Sequence, residues 1–167
     1  MKRLFLVRHA KSSWKHPGLT DFERPLNKRG KKDAPKMGKR IKKQDILPDL
    51  ILSSPAKRAI RTARAIAGEI GYPEKKIQTD RAIYSGGSPA ILSIVQSQAP
   101  EVNCLMLFGH NPDFTQLAES LSGHRVDNIP PCGIFCIDFD IQTWTDVAPG
   151  GGQFVFFDFP KNTTDSP

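Results

Sequence analysis

No stretch of this 167-residue chain is apolar for anything near the roughly 20 residues that a membrane-spanning helix needs. The opening Met1-Lys2-Arg3-Leu4-Phe5-Leu6-Val7 has the charged start of a signal peptide, but its apolar run stops at Arg8, which suits a buried strand better. Cysteine is scarce. Cys104, Cys132 and Cys136 are odd in number and contain no C-x-x-C pair, so they read as free thiols in a reducing cytoplasm. Cys132 and Cys136 are expected on one face of a strand. H-x-H, H-E-x-x-H and carboxylate–histidine clusters are missing, which leaves metal-dependent hydrolysis without ligands and implies no cofactor. No aromatic residue interleaves with the basic ones between Lys28 and Lys43, which disfavours nucleic acid as a partner.

What remains is a globular composition, 38% hydrophobic and 25% charged, long enough for one packed domain over residues 1–160 with a tail over 161–167. Nothing in it demands a dimer, so a monomer is expected. The net charge is +7, and nine of the 24 Lys and Arg residues fall between Lys28 and Lys43. Ala34, Met37, Gly38 and Ile41 recur there at helical spacing, so the segment reads as a helix with a basic outer face. Such a face is either simply solvated or attracts an anionic partner, and the two are compatible.

Apolar runs alternate with helical periods. Strands are expected at Arg3–Val7, Asp49–Ser53, Lys76–Thr79, Val102–Phe108, Cys132–Asp138 and Gln153–Phe159. Between them fall the basic helix, a helix from Pro55 to Ile70 capped by Ser54, one opened by Ser88-Pro89, and one from Asn111-Pro112 to about Gly123. Asn27 is placed to cap the basic helix, yet Pro35 lies deep inside it; the helix either begins near Ala34 or kinks. This order predicts an α/β three-layer sandwich with a mostly parallel central sheet, whose ligands bind beyond the carboxyl ends of the strands.

Those ends carry chemistry. Arg8-His9-Ala10-Lys11 follows the first strand, Ser53-Ser54-Pro55-Ala56-Lys57-Arg58 the second, and Gly109-His110-Asn111-Pro112 the fourth. Two Arg, two His and two helix N-termini on one rim, with no evident acidic partner, are satisfied by phosphate or sulfate. His16 and His124 read as ordinary surface residues.

At these residues the chain resembles the histidine phosphatase (phosphoglycerate mutase-like) superfamily. Leu6-Val7-Arg8-His9-Ala10 is similar to its R-H-G signature, Ser54–Ala63 to its second motif, and Gly109-His110-Asn111-Pro112 to its third. The short length, Asp21-Phe22-Glu23-Arg24-Pro25-Leu26 and the G-H-N-P run resemble the SixA-type phosphohistidine phosphatases. The resemblance implies His9 as the nucleophile, Arg8 and Arg58 on the phosphoryl oxygens, and His110 completing the pocket. Ser54 and Asn111 join the substrate-binding set.

Two departures stand out. Ala10 replaces the signature glycine, and no general acid is evident; Asp21, Glu23 and Asp80 are the candidates. An alkoxide needs a proton in order to leave, whereas a phosphohistidine nitrogen can leave as neutral imidazole. The short segment Arg81–Gly87 also offers little to cap the cleft. Both features favour phosphohistidine on a protein as substrate. The alternatives are a phosphatase of small phosphate esters and a non-catalytic module that binds phosphorylated ligands.

Overall fold

The computed structural model describes residues 1–162, so most of the expected tail lies outside the described residues. Its strands are β1 (Lys2–Arg8), β2 (Leu50–Ser53), β3 (Gln78–Thr79), β4 (Cys104–Gly109), β5 (Ile134–Phe139) and β6 (Gln153–Asp158). The helices are α1 (Lys28–Lys43), α2 (Lys57–Ile70), α3 (Arg81–Ser85), α4 (Gly87–Gln96) and α5 (Asp113–Ser122). All six strands form one sheet in the order β3-β2-β4-β1-β5-β6. The β2–β3, β2–β4 and β1–β4 pairings are parallel, while β5 runs antiparallel to β1 and β6 antiparallel to β5. The sheet is therefore mixed, with its parallel part on the side that carries the three motifs.

Residue alternation along β1 explains the layers. Leu4 and Leu6 enter one core with Phe114, Leu117 and Ile91 from α5 and α4. Phe5 and Val7 enter the other with Met37, Ile41 and Ile66 from α1 and α2. A strand covered on both faces reads as a continuous apolar run, as Leu4–Val7 does. Truncating the fully buried Phe5 or Phe108 to Ala would cost about 3–5 kcal/mol.

Several local expectations change. Asn27 does cap α1, its side chain accepting from Gly30 N–H at 2.8 Å, and the helix runs through Pro35. Packing overrides propensity here: Ala34, Met37, Gly38 and Ile41 are buried, and a Cβ on Gly38 would lie 2.8 Å from Glu69 Cβ of α2. Helix α2 begins at Lys57 with Ala56 as N-cap, so Ser54 is not the cap. The short segment Arg81–Gly87 contains a helix, Arg81–Ser85. Cys132 lies in a turn with φ of 62° before β5, so it does not share a strand face with Cys136. Among the described residues, no helix is long and apolar enough to cross a membrane.

Candidate active site

Strands β2, β4 and β1 are parallel neighbours in register, with Ser53 opposite Phe108 and Arg8 opposite Gly109. The segments leaving them therefore emerge side by side. Ser54 N–H donates to Phe108 O and His9 N–H to Gly109 O, each at 2.9 Å, which extends the sheet into the site. Gly109 is required there: a Cβ would sit 2.5 Å from the Phe114 ring, and α5 could not pack behind His110. Ala10, where the superfamily signature has glycine, is absent from the positive-φ residues. Its methyl group is fully buried without backbone strain.

The two imidazoles lie 5.2 Å apart between centroids, and each is only 8% exposed. His9 Nδ1 is 2.7 Å from the Ala10 carbonyl oxygen. A carbonyl only accepts, so Nδ1 carries the proton and Nε2 presents a lone pair to the cleft. Burial, partly countered by this bond and reinforced by His110, Arg58 and Arg8, pushes the His9 pKa down to about 3. His110 Nε2 lies 2.8 Å from Ser54 Oγ, which already accepts from Ala56 N–H at 3.1 Å. The single Ser54 proton is thus available to His110 Nε2, which leaves Nδ1–H as a donor. Burial, with Arg58 nearby, pushes the His110 pKa down to about 4.

The guanidinium groups are held from behind. Arg8 Nη1 donates to Ile129 O at 2.9 Å, and burial together with the Arg58 charge lowers its pKa. Arg58, 6% exposed, donates from Nη1 to the Asp21 carbonyl at 2.7 Å and from Nη2 to Asp21 Oδ2 at 3.0 Å. The cluster therefore has an acidic partner after all, carried in by the 3-10 turn Asp21–Glu23. Burial pushes the Asp21 carboxyl up, but hydrogen bonds from Tyr84 and Arg58 outweigh it and hold the pKa at about 2.

Three buried side-chain nitrogens have no hydrogen-bond partner among the described residues: Arg8 Nε, Arg58 Nε and His110 Nδ1. All three belong to this one site. Unpaired buried donors are costly, and three at one point suit a multidentate anion. The residues that carry them line, together with His9, one cleft of about 920 Å³.

The other expected residues divide. Ser54 is in place, positioning His110. Asn111 lines the cleft, but its amide is fully engaged. Nδ2 donates to Asn128 Oδ1 and Ile129 O, while Oδ1 accepts from the Thr115 backbone and hydroxyl. It ties α5 to the loop that holds Arg8, and its side-chain amide is taken up by those four bonds. Glu23 closes a capping interaction with Thr20, and Asp80 caps α3 by accepting from Ala82 N–H at 2.9 Å. Neither lines the cleft.

A family model described as the histidine phosphatase superfamily (branch 1) matches residues 4–83. A chloroplastic protein of Arabidopsis thaliana is 31% identical over 162 residues, spanning 90% of this chain and 74% of its own length. This chain belongs to the histidine phosphatase superfamily. Phosphoserine phosphatase 1 of Hydrogenobacter thermophilus is 36% identical over 94 residues, 52% of this chain and 43% of that enzyme. Among solved structures, a protein of Agrobacterium tumefaciens named for the phosphohistidine phosphatase SixA aligns with a TM-score of 0.81 and 29% identity, over 95% of this chain and 98% of its own. A SixA structure complexed with tungstate shares the fold at the same TM-score and 20% identity, covering 95% and 97%.

Within this superfamily fold, sequence reasoning missed Tyr84. Its hydroxyl donates to Asp21 Oδ2 at 2.8 Å, and its ring meets His110 edge-on at 5.5 Å. Thr62 was missed too: its hydroxyl accepts from Ala10 N–H at 2.9 Å and donates to Arg58 O at 2.7 Å, linking two motifs. Thr62 lies one helical turn beyond Arg58 within the second motif, a spacing that could have flagged it. Tyr84 carried no comparable signal.

Proposed function

We propose that this chain is a phosphatase that removes phosphoryl groups from histidine side chains of a protein substrate through a covalent intermediate on His9. The observation that carries the reading is that three residues with unpartnered buried nitrogens, Arg8, Arg58 and His110, line one cleft with His9, whose Nε2 is left with the lone pair. The oxygens of a phosphoryl group fit those donors, and fixed cations stabilise its charge as it transfers.

In the first step His9 Nε2 attacks phosphorus while the bond from phosphorus to the substrate imidazole breaks. That imidazole, already protonated on its other ring nitrogen, takes the electron pair and leaves neutral. In the second step water attacks the phosphoryl group, the bond to His9 Nε2 breaks and returns its electron pair to that nitrogen, and both of the water's protons leave with the phosphate as dihydrogen phosphate. His9 is well suited to leave, because Nδ1 already bears the proton donated to Ala10 O.

Substrate choice follows from acid–base chemistry. The carboxyl beside the guanidinium groups is Asp21, and with a pKa of about 2 it is ionised at neutral pH. An alkoxide leaving group would want a proton that Asp21 does not hold, whereas an imidazole leaving group does not. The likeness to proteins named SixA supports the same reading, as does the tungstate, a phosphate-like oxyanion, bound by one of them. Three free cysteines suit action in the cytoplasm.

The test compares kcat/KM for a phosphohistidine protein with that for phosphoserine and small phosphate monoesters. Preference for phosphohistidine is expected; faster turnover of the monoesters would return the chain to the small-ester phosphatases.

A further inference from the structure

The cleft is much wider than a phosphoryl group, and its charge is one-sided. No Asp or Glu lines it, whereas eight of its lining residues are Lys or Arg. Its inner part is rigid and buried: Arg8 and Arg58 are fixed by hydrogen bonds to Ile129 O and Asp21. Its outer wall is of another kind. Lys11 and Lys15 from the loop after β1 face Lys28 and Lys31 from the first turn of α1, and all four are exposed. Every salt bridge among the described residues uses an arginine, so these ammonium groups have no carboxylate partner.

Trp14 stands at the same mouth, 79% exposed, with the Arg24 guanidinium 3.5 Å from its ring centre. Exposed tryptophan and arginine are residue types enriched at protein interfaces, and here they share the mouth of the cleft with the lysines. Resting on the reading of function above, we infer that Lys11, Lys15, Lys28 and Lys31 around Trp14 dock an acidic surface flanking the phosphorylated histidine of the protein substrate. A compact polyphosphate would call for convergent, buried forks like those of Arg8 and Arg58. Separated, exposed lysines instead attract an extended acidic surface and raise its encounter rate. This gives the basic start of α1 a use that phosphoryl transfer itself does not.

The experiment uses two synthetic phosphohistidine peptides of equal length, one flanked by Glu and one by Gln, with phosphoramidate as the reference that reaches only the inner pocket. Wild-type kcat/KM, divided by that for phosphoramidate, should favour the Glu peptide by about tenfold at low salt, mostly through KM, and the preference should shrink as salt rises. Lys15→Glu/Lys31→Glu should abolish or reverse it. Lys32→Glu/Lys39→Glu makes the same charge change on α1 outside the cleft lining and should leave the preference in place.

Equal use of the two peptides by the wild type, or equal loss in both double variants, overturns the docking wall while the phosphohistidine reading stands. If neither phosphohistidine peptide turns over but phosphoserine peptides do, the functional reading fails, and the same Glu–Gln comparison on phosphoserine decides the docking wall. Turnover of small monoesters with no peptide used overturns both.

Discussion

Arg58 grips Asp21 twice, through the backbone carbonyl at 2.7 Å and the carboxylate at 3.0 Å, and Tyr84 reaches that same carboxylate oxygen at 2.8 Å. Asp21 thereby orients the guanidinium and stays ionised. We propose that it positions Arg58 rather than donating a proton.

Asp21→Asn separates those two roles. The backbone grip survives, so kcat/KM for a phosphohistidine substrate should fall by no more than about tenfold, whereas losing a true general acid costs about 10²–10⁴-fold. A loss in the upper range, with the alkaline limb of the pH profile altered, would reinstate Asp21 as the acid.

His9→Ala should reduce turnover at least about a thousandfold while vanadate or phosphate still binds through Arg8, Arg58 and His110. Arg58→Ala should weaken both binding and turnover, because its charge meets ground state and transition state alike. Wild-type protein quenched during turnover should carry an acid-labile, base-stable phosphoryl group on the peptide containing His9. A label on His110 would refute the assignment.

The histidines also predict a pH dependence. Their pKa values in the fold, about 3 for His9 and about 4 for His110, lie below the 6.5 of the unfolded chain. Between those values the unfolded state binds more protons, so stability rises with pH across this window. The contribution is complete above 6.5 and is lost as pH falls toward 4 and then 3. The thermal midpoint should drop on acidification through this range, and His9→Ala should flatten the drop. For activity, the acid limb of kcat/KM should lie near 4 or below; a limb at 6.5 would mean that His9 titrates as if exposed.

Asn111→Ala removes a side chain whose four hydrogen bonds are internal. Stability should fall by about 1–3 kcal/mol. KM should rise with little change in kcat, because the Ile129 carbonyl that Asn111 holds is the one that Arg8 uses. An unchanged thermal midpoint alongside a raised KM would make Asn111 a direct ligand of substrate instead.

Much of this was legible along the chain. The run Leu4–Val7, the apolar stretch ending at Phe108 and the helical spacing of Ala34, Met37, Gly38 and Ile41 are local patterns, and local patterns fix local structure. Strand–helix alternation then demands a sheet whose carboxyl ends share a rim, so the sequence alone groups Arg8, His9, Arg58 and His110. The reversal of β5 against β1 was not legible, because strand direction depends on what the neighbouring edge offers rather than on the strand's own residues.

The finer chemistry belonged to the tertiary structure. Asp21 and Arg58 are 37 positions apart, and Tyr84 and Asp21 are 63 apart; no periodicity relates such pairs. Asn111 looked like a ligand because of its place after β4, and only the surroundings of its amide reveal a brace. Ser54 looked like a helix cap, and its real partner, His110, arrives from another strand. Sequence names the groups available at a strand end, since backbone geometry delivers them there whatever their neighbours. Which group pairs with which, and so which stays charged or keeps a free donor, is decided by burial and distance, and those exist only once the chain has closed on itself.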